Sequence, residues 1–134
     1  MRQLNLVLSL KLRISTYADR LQNEGHFKDK PDQAIVNEYS PGQGISAHID
    51  CVPCFTDTIA SLSLGSACVM DFTNIDSAEK QSILLESRSL IVMTGDARYR
   101  WMHAIAARKT DRLDDINLSR RRRVSLTFRK VIVS

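Results

Sequence analysis

Long apolar runs, cysteine and histidine are all scarce in this 134-residue chain, and two of these shortages exclude a class of protein. No apolar run approaches the roughly 20 residues that a membrane-spanning helix requires. The three cysteines are an odd number, without the even framework of a disulfide-stabilised secreted domain. The apolar opening at residues 1–14 is interrupted by Lys11 and Arg13 and lacks a small-residue cleavage site, so it predicts core structure and not a signal peptide. We therefore expect a reducing compartment, first the cytoplasm and second the nucleus.

Composition and charge allow one globular domain with a single core. Apolar residues make up 43% of the chain and charged residues 25%, which is ordinary for a soluble globular protein. The net charge of +4 is spread unevenly, because residues 120–123 are four consecutive arginines, followed by Arg129 and Lys130. Such a run favours a polyanionic partner, but a solvated loop before a strand would have the same composition.

Only three histidines are available as metal ligands. His48 and Asp50 follow a Pro/Gly turn and are two residues apart, so in a strand their side chains point to the same side. They could supply two ligands of the 2-His-1-carboxylate triad that binds Fe(II). His26 lies in a polar stretch that is typical of an exposed connection, which leaves His103 as the remaining candidate for the third ligand. A lone His-x-Asp pair is a weak signal, since a hydrogen-bonded structural histidine would give the same pattern.

The chain begins with a predicted helix and continues as short strands. Leu8, Leu12, Tyr17 and Leu21 could share one helix face within residues 1–22, and Gly25 would end that helix. Strands are predicted from the period of two and from turn residues at 33–39, 56–65, 67–72, 83–85, 89–93 and 123–129. Residues 108–122 are predicted to be a charged, mobile loop. We expect a mainly β sandwich or jelly roll, with a helical segment at 1–24 and the core at 25–134.

The last strand has an unusual polar face. Arg123, Ser125, Thr127 and Arg129 alternate with Val124, Leu126 and Phe128. Its two arginines lie about 20 Å apart at about 3.3 Å per residue, so long side chains turned inward could hold opposite ends of a small dicarboxylate. A solvated face with salt bridges to Asp or Glu is the alternative.

Two further pairs have weaker implications. Asn37 and Tyr39 share a strand face and could both hydrogen-bond a buried carboxylate, although an ordinary edge-strand pair is as compatible with the pattern. Cys51 and Cys54 have C-x-x-C spacing, but a zinc site needs two more ligands and a redox motif needs a βαβ setting. We therefore assign the cysteine pair no function.

Taken in order, these residues resemble the AlkB family of Fe(II)/2-oxoglutarate dioxygenases. The similarity includes the stretches at 30–33, 39–45, 61–66, 69–72, 92–95 and 127–130, and it is greatest to the dioxygenase domain of the family member that modifies the tRNA wobble uridine. It covers about residues 15–131. The resemblance implies a double-stranded β-helix fold, truncated relative to the family, without its RNA-recognition and methyltransferase domains. Ser125 stands where many relatives carry Asn.

The resemblance also implies ligands and chemistry. Iron would be held by His48, Asp50 and His103, and 2-oxoglutarate by Arg123 with Tyr39 at its distal carboxylate and by Arg129 with Asn37 at the other. With O2 as the second co-substrate, the reaction would hydroxylate the 5-methoxycarbonylmethyl side chain of wobble uridine in the tRNA anticodon loop. Backbone phosphates would bind Arg108, Lys109 and residues 120–122. Oxidative demethylation of N-alkylated nucleobases, and a non-catalytic jelly roll that binds metal or RNA, remain alternatives.

Overall fold

The computed structural model describes residues 1–4 and 8–133, with the backbone alone at 8–10. In these ranges the elements follow in the order β1 (Arg2–Gln3), α1 (Leu8–Asn23), β2 (Gln33–Tyr39), β3 (Ile45–His48), β4 (Phe55–Gly65), β5 (Cys68–Asn74), β6 (Lys80–Leu85), β7 (Ser89–Met93), α2 (Gly95–Tyr99), β8 (Trp101–Ile105), β9 (Thr110–Leu113), β10 (Ile116–Ser119) and β11 (Arg123–Val131). No described helix has the length and apolar character needed to traverse a membrane.

Two antiparallel sheets form the body of the protein. One has the strand order β1-β2-β11-β4-β7, and the other β3-β8-β5-β6. One apolar cluster draws members from both sheets, among them Ile59 and Met93 from the first and Phe72 and Ile105 from the second. The expected mainly β fold is therefore confirmed, and the side chains between the sheets form both its core and its pocket.

Helix α1 packs on the outer face of the five-stranded sheet. Ile14, Ala18 and Leu21 follow the helical period and pack with Phe27, Val36, Ala60, Leu126 and Phe128. Of the predicted helix face, Leu21 is buried, but Leu12 is 62% and Tyr17 38% exposed, and the side chain of Leu8 lies outside those described. The helix ends at Asn23, just before Gly25, whose φ is +83°.

The first residues were predicted to be helical, and this is wrong for Arg2 and Gln3. They form strand β1 at the edge of the larger sheet, with Arg2 opposite Glu38 and Gln3 opposite Asn37. Strand β2 offers unpaired backbone groups at this edge, and an ion pair of 2.7 Å between Arg2 and Glu38 adds to the pairing. A two-residue strand has too little periodicity to be predicted.

Strand β11 lies between β2 and β4 and carries the predicted alternation. Arg123 is opposite Tyr39 on one side and Gly65 on the other. At the other end, Arg129 is opposite Gln33 and Ile59. The polar face of β11 lines a cavity between the sheets, while Leu126 and Phe128 pack beneath α1. The two arginines consequently stand at opposite ends of one cavity wall.

The predicted mobile loop at residues 108–122 is a paired hairpin. Strands β9 and β10 are antiparallel, and the turn between them contains Asp114 at φ 52°. Two hydrogen bonds from Arg120 reach the buried carboxylate of Asp111, from Nε at 2.7 Å and from Nη2 at 2.8 Å. The prediction was wrong because charged residues are usually exposed, whereas Asp111 and Arg120 are buried together as an ion pair.

Candidate metal and co-substrate site

Three side chains meet at one end of the cavity. Strand β3 ends at His48, which is directly opposite His103 on β8, and Asp50 follows in the connection to β4. His48 Nε2 lies 3.3 Å and His103 Nε2 3.5 Å from Asp50 Oδ1, and the potential ligand atoms of all three lie within 4.8 Å of one another. The residues that the sequence selected are thus brought together, although Asp50 reaches the group from a loop and not from the strand assumed for it.

The ionisation of Asp50 and His103 suits metal binding. Burial opposes the charge of Asp50, but the hydrogen bond from His48 and the charges of His103 and Arg129 outweigh it and lower the pKa of Asp50 to about 2. Burial, together with repulsion from His48 and Arg98, lowers the pKa of His103 to about 4. At neutral pH Asp50 is therefore an anion and His103 a neutral imidazole, which are the forms that ligate metals.

His48 is oriented by its own strand. Its Nδ1 lies 2.7 Å from the carbonyl oxygen of Ser46, so in the neutral ring Nδ1 carries the hydrogen and donates it there. The lone pair of Nε2 is then directed toward Asp50 and His103. When the ring is protonated, Nε2 also carries a hydrogen and donates it to Asp50, which raises the pKa of His48 despite the opposing effect of burial. The donor chemistry of the three residues fits a divalent cation with two nitrogen ligands and one oxygen ligand.

Arg129 connects the His-Asp-His end of the cavity to β11, and two of its three nitrogens donate hydrogen bonds within the protein. Its Nη1 donates to Asp50 Oδ2 at 3.1 Å, and its Nε donates to Gln33 Oε1 at 2.8 Å. The guanidinium lies over the ring of Phe55 at 4.1 Å from the centroid. Arg129 therefore stabilises the negative charge of Asp50 and forms the wall beside it.

Arg123, at the other end of the cavity, has fewer hydrogen-bond partners than its buried position requires. It is 3% exposed, donates from Nη2 to Ser63 Oγ at 2.8 Å, and lies over the Tyr39 ring at 5.2 Å. Its Nε and Nη1 are buried and have no hydrogen-bond partner among the residues that the structure describes. A buried guanidinium with two unused donors is costly, and an anion entering the cavity would satisfy it. The residues present therefore fit a carboxylate-bearing co-substrate.

The cavity between these ends measures about 280 Å³. All seven residues selected from the sequence line it, namely Asn37, Tyr39, His48, Asp50, His103, Arg123 and Arg129. Gln3 of β1 and the preceding Met1 also line it, and no sequence signal points to them. Ser63, which holds Arg123, was not predicted either, although the alternation of Ile59, Ser61 and Ser63 in β4 was a signal that could have found it.

Several other candidate residues lie elsewhere. His26 is on the surface with its Nε2 3.8 Å from Glu24. Cys51 and Cys54, to which we assigned no function, form a disulfide across a turn whose two Cα atoms lie 5.2 Å apart. Buried Cys68 remains a free thiol.

The predicted phosphate-binding arginines are divided between different surroundings. Arg120 is 8% exposed and bound to Asp111, so the expectation that it holds a phosphate is wrong. Arg122 pairs with Glu38 at 2.6 Å and Arg108 with Asp111 at 2.9 Å. Arg121 is exposed and forms no ion pair within the described part of the chain. The arginine run is therefore not a single cationic surface.

Two proteins named for activities on tRNA are similar to this chain in sequence. The mouse protein named tRNA (carboxymethyluridine(34)-5-O)-methyltransferase ALKBH8 is 46% identical over 133 residues, which cover 87% of this chain and 20% of that protein. The fission yeast protein named tRNA demethylase abh1 is 41% identical over 78 residues, covering 57% of this chain and 26% of that protein. This chain thus spans about a fifth to a quarter of these relatives' lengths.

The fold and the family have independent support. The solved structure of OsALKBH1 superposes with a TM-score of 0.60 at 18% identity, covering 92% of this chain and 64% of that one, which supports the fold. The family model described as the 2OG-Fe(II) oxygenase superfamily matches residues 9–129, nearly the whole described core. Members of this family use Fe(II), 2-oxoglutarate and O2. This chain belongs to the 2OG-Fe(II) oxygenase superfamily, within its AlkB-like branch.

Proposed function

We propose that this chain is the catalytic core of a dioxygenase that hydroxylates the 5-methoxycarbonylmethyl side chain of the wobble uridine in tRNA. The observation that carries the catalytic part is the cavity, with a His-Asp-His group at one end and an arginine with unused donors at the other. The choice of tRNA is supported by the mouse relative, whose name places its activity at carboxymethyluridine 34.

In this proposal each end of the cavity has one task. His48, Asp50 and His103 would hold Fe(II), and Arg123 with Tyr39 would bind the distal carboxylate of 2-oxoglutarate. Arg129 with Asn37 would lie beside the carboxylate next to the keto group. When bound, iron supplies the oxidative chemistry of the family, in which O2 and 2-oxoglutarate yield succinate, CO2 and one oxygen atom for a substrate C–H bond.

The chain's own residues prepare this cavity. Burial raises the pKa of Tyr39, so its phenol stays protonated and remains a donor at neutral pH. Ser63 holds Arg123 at 2.8 Å, so its free Nε and Nη1 are fixed before an anion arrives. Apolar side chains such as Met70 and Met93 line the space between the two ends and reduce its contact with water. Preorganised donors at a buried position such as that of Arg123 are strong because little solvent screens them.

An anticodon base could reach this cavity because wobble bases are unpaired and can be turned out of the loop. The exposed Lys109 and Arg121 are the members of the predicted phosphate-binding set that form no ion pair in the part of the chain described here. We propose that they contact the RNA backbone. A demethylase is the second candidate, favoured by the similarity to the protein named tRNA demethylase abh1.

Succinate formation from 2-oxoglutarate with Fe(II) under air tests the catalytic part. We expect turnover by the wild type, a loss of at least about 100-fold in His48→Ala, and no change in the matched control His26→Ala, since His26 is an exposed histidine outside the cavity. Folded wild-type protein without succinate formation would contradict the proposal.

The substrate is tested separately with tRNA. Mass spectrometry of the digested wobble nucleoside should show the addition of one oxygen atom without release of formaldehyde. Formaldehyde release from an N-methylated nucleobase would favour the demethylase instead. RNA binding without any consumption of 2-oxoglutarate would favour a non-catalytic module.

A further inference from the structure

Arg98 is a buried cation for which the proposed reaction gives no task. It belongs to the short helix α2 and is 2% exposed. No carboxylate within the described residues pairs with it, in contrast to buried Arg120, which binds Asp111. Burying an unpaired guanidinium is unfavourable, and an apolar side chain would fill the same space at lower cost. Its contacts therefore call for an explanation.

The guanidinium of Arg98 donates to three carbonyl oxygens, two in the loop between β3 and β4 and one at the start of β4. Nη1 donates to Asp50 at 2.8 Å, Nη2 to Cys51 at 3.2 Å, and Nε to Thr56 at a long 3.4 Å. These carbonyls flank the turn that the Cys51–Cys54 disulfide closes. The planar fork of donors thus joins both ends of the turn to α2, which a lysine with a single nitrogen could not do equally well.

The three metal-binding candidates are not held in the same way. His48 and His103 face each other in the pairing of β3 with β8, so the sheet fixes their spacing. Asp50 lies between the end of β3 at His48 and the start of β4 at Phe55, where strand pairing does not fix the backbone. The direction of its carboxylate depends on that loop, and Arg98 binds the carbonyl of Asp50 itself.

We propose that Arg98 is a positioning residue for the metal site, which fixes the backbone at Asp50 so that its carboxylate faces His48 and His103 before a metal binds. The inference rests on the proposed function for its purpose, but its evidence is the geometry of the loop. Partners that orient metal ligands typically change metal affinity by about 10 to 100-fold when they are removed. A purely structural Arg98 would affect folding and leave metal affinity unchanged.

The test measures Mn(II) binding to the metal-free chain by titration calorimetry, with Mn(II) as a redox-stable substitute for iron. We expect Arg98→Met to weaken Mn(II) binding by about tenfold or more, and Arg98→Lys to bind more tightly than Arg98→Met but still more than about twofold more weakly than the wild type. The matched control is Arg100→Met, two residues away, which removes an exposed arginine paired with Asp76. It should bind Mn(II) like the wild type. The melting temperature of each metal-free variant separates stability from affinity.

An Arg98→Met protein that melts lower but binds Mn(II) within about twofold of the wild type overturns the proposal. If Arg98→Met does not fold, Arg98→Lys decides by the same criterion, since it keeps the buried charge but cannot reach all three carbonyls. Succinate assays distinguish this failure from failure of the proposed function. If the wild type forms succinate and Arg98→Met binds Mn(II) as tightly as the wild type, only the positioning role is contradicted. If the wild type forms no succinate but Arg98→Met binds Mn(II) more weakly as expected, only the proposed reaction is contradicted.

Discussion

Arg120 and Arg123 belong to the same run of four arginines and are both buried, but their surroundings are opposite. Arg120 donates to both carboxylate oxygens of Asp111 and to the carbonyl of Ala106 at 2.7 Å. Arg123 donates to one hydroxyl, that of Ser63, and two of its nitrogens have no partner within the described ranges. The guanidinium of Arg120 has its charge and hydrogen-bond partners within the protein, whereas that of Arg123 has two nitrogens without partners among the described residues and faces a cavity.

We infer from this difference that Arg120 maintains the fold, whereas Arg123 has the role proposed for it, which is to bind a ligand. A complete buried ion pair is expensive to break, because one charge is left without its partner. Arg123 already has unsatisfied donors in the folded protein, so its removal should weaken ligand binding more than it lowers the free energy of unfolding. Substitutions at the two positions should therefore have opposite signatures.

Asp111→Asn should have the largest effect on stability. It leaves Arg120 as a buried cation without a full charge partner, and loss of one member of a buried pair costs about 3 to 5 kcal/mol. Denaturant unfolding of the metal-free chain measures the change. Asp76→Asn, which breaks an exposed pair with Arg100, is the control and should unfold almost like the wild type.

The pH dependence of the stability difference between the wild type and Asp111→Asn tests whether the charge of Asp111 is its cause. Burial opposes the charge of Asp111, but hydrogen bonds from Arg120 and Arg108 outweigh it and hold the pKa of Asp111 below its usual range. A lowered folded pKa gives stability that is present above the unfolded value of about 3.9 and is lost as the pH falls through the folded value. The gap between wild type and Asp111→Asn should thus be constant near neutral pH and shrink below about pH 4. A gap that does not vary with pH would show that the charge of Asp111 is not responsible.

Arg123→Met should have the next largest effect, and this effect should be on the binding of 2-oxoglutarate. With Mn(II) present, we expect 2-oxoglutarate affinity to fall by about 100-fold, or about 2.7 kcal/mol, since a charge-assisted carboxylate contact is removed from a buried site. The metal-free protein should be at least as stable as the wild type, because two unsatisfied donors disappear. The control is Arg121→Met, an exposed neighbour in the same run. A large loss of stability with unchanged 2-oxoglutarate binding would make Arg123 the structural arginine and reverse the comparison.

Ser63→Ala should have the smallest effect. It removes the hydroxyl that orients Arg123 but leaves the charge in the cavity, so 2-oxoglutarate should bind about fivefold more weakly, as expected for one hydrogen bond of about 1 kcal/mol. Calorimetry under the same conditions measures this. An effect as large as that of Arg123→Met would mean that orientation, more than charge, determines binding.

The sequence predicted well what depends on local period and residue type. The two faces of β11 followed from alternation, and the grouping of His48, Asp50 and His103 from the scarcity of histidine, the His-x-Asp spacing and the family resemblance. It failed where a distant partner decides the outcome. A charged stretch at 108–122 looks solvated until Asp111 and Arg120 are seen to be buried together.

The same limit applies to Arg98 and Ser63. Nothing near Arg98 in the sequence reveals that its acceptors are backbone carbonyls more than 40 residues away. The buried face of α1 was also misjudged, since several apolar sets fit the period and only packing on the sheet selects Ile14, Ala18 and Leu21.

The arginine run has a final consequence for tolerance to insertions and deletions. Arg120 anchors the hairpin, Arg121 is exposed, Arg122 pairs with Glu38 and Arg123 enters the cavity, so four identical letters have four different tasks. Deleting any one of the four yields the same sequence of three arginines, so every such deletion has the same effect. The segment between the arginine that binds Asp111 and the arginine that lines the cavity would then be one residue shorter than the present segment from Arg120 to Arg123. The fold should therefore tolerate substitution at Arg121, but it should not tolerate a change in the length of this stretch.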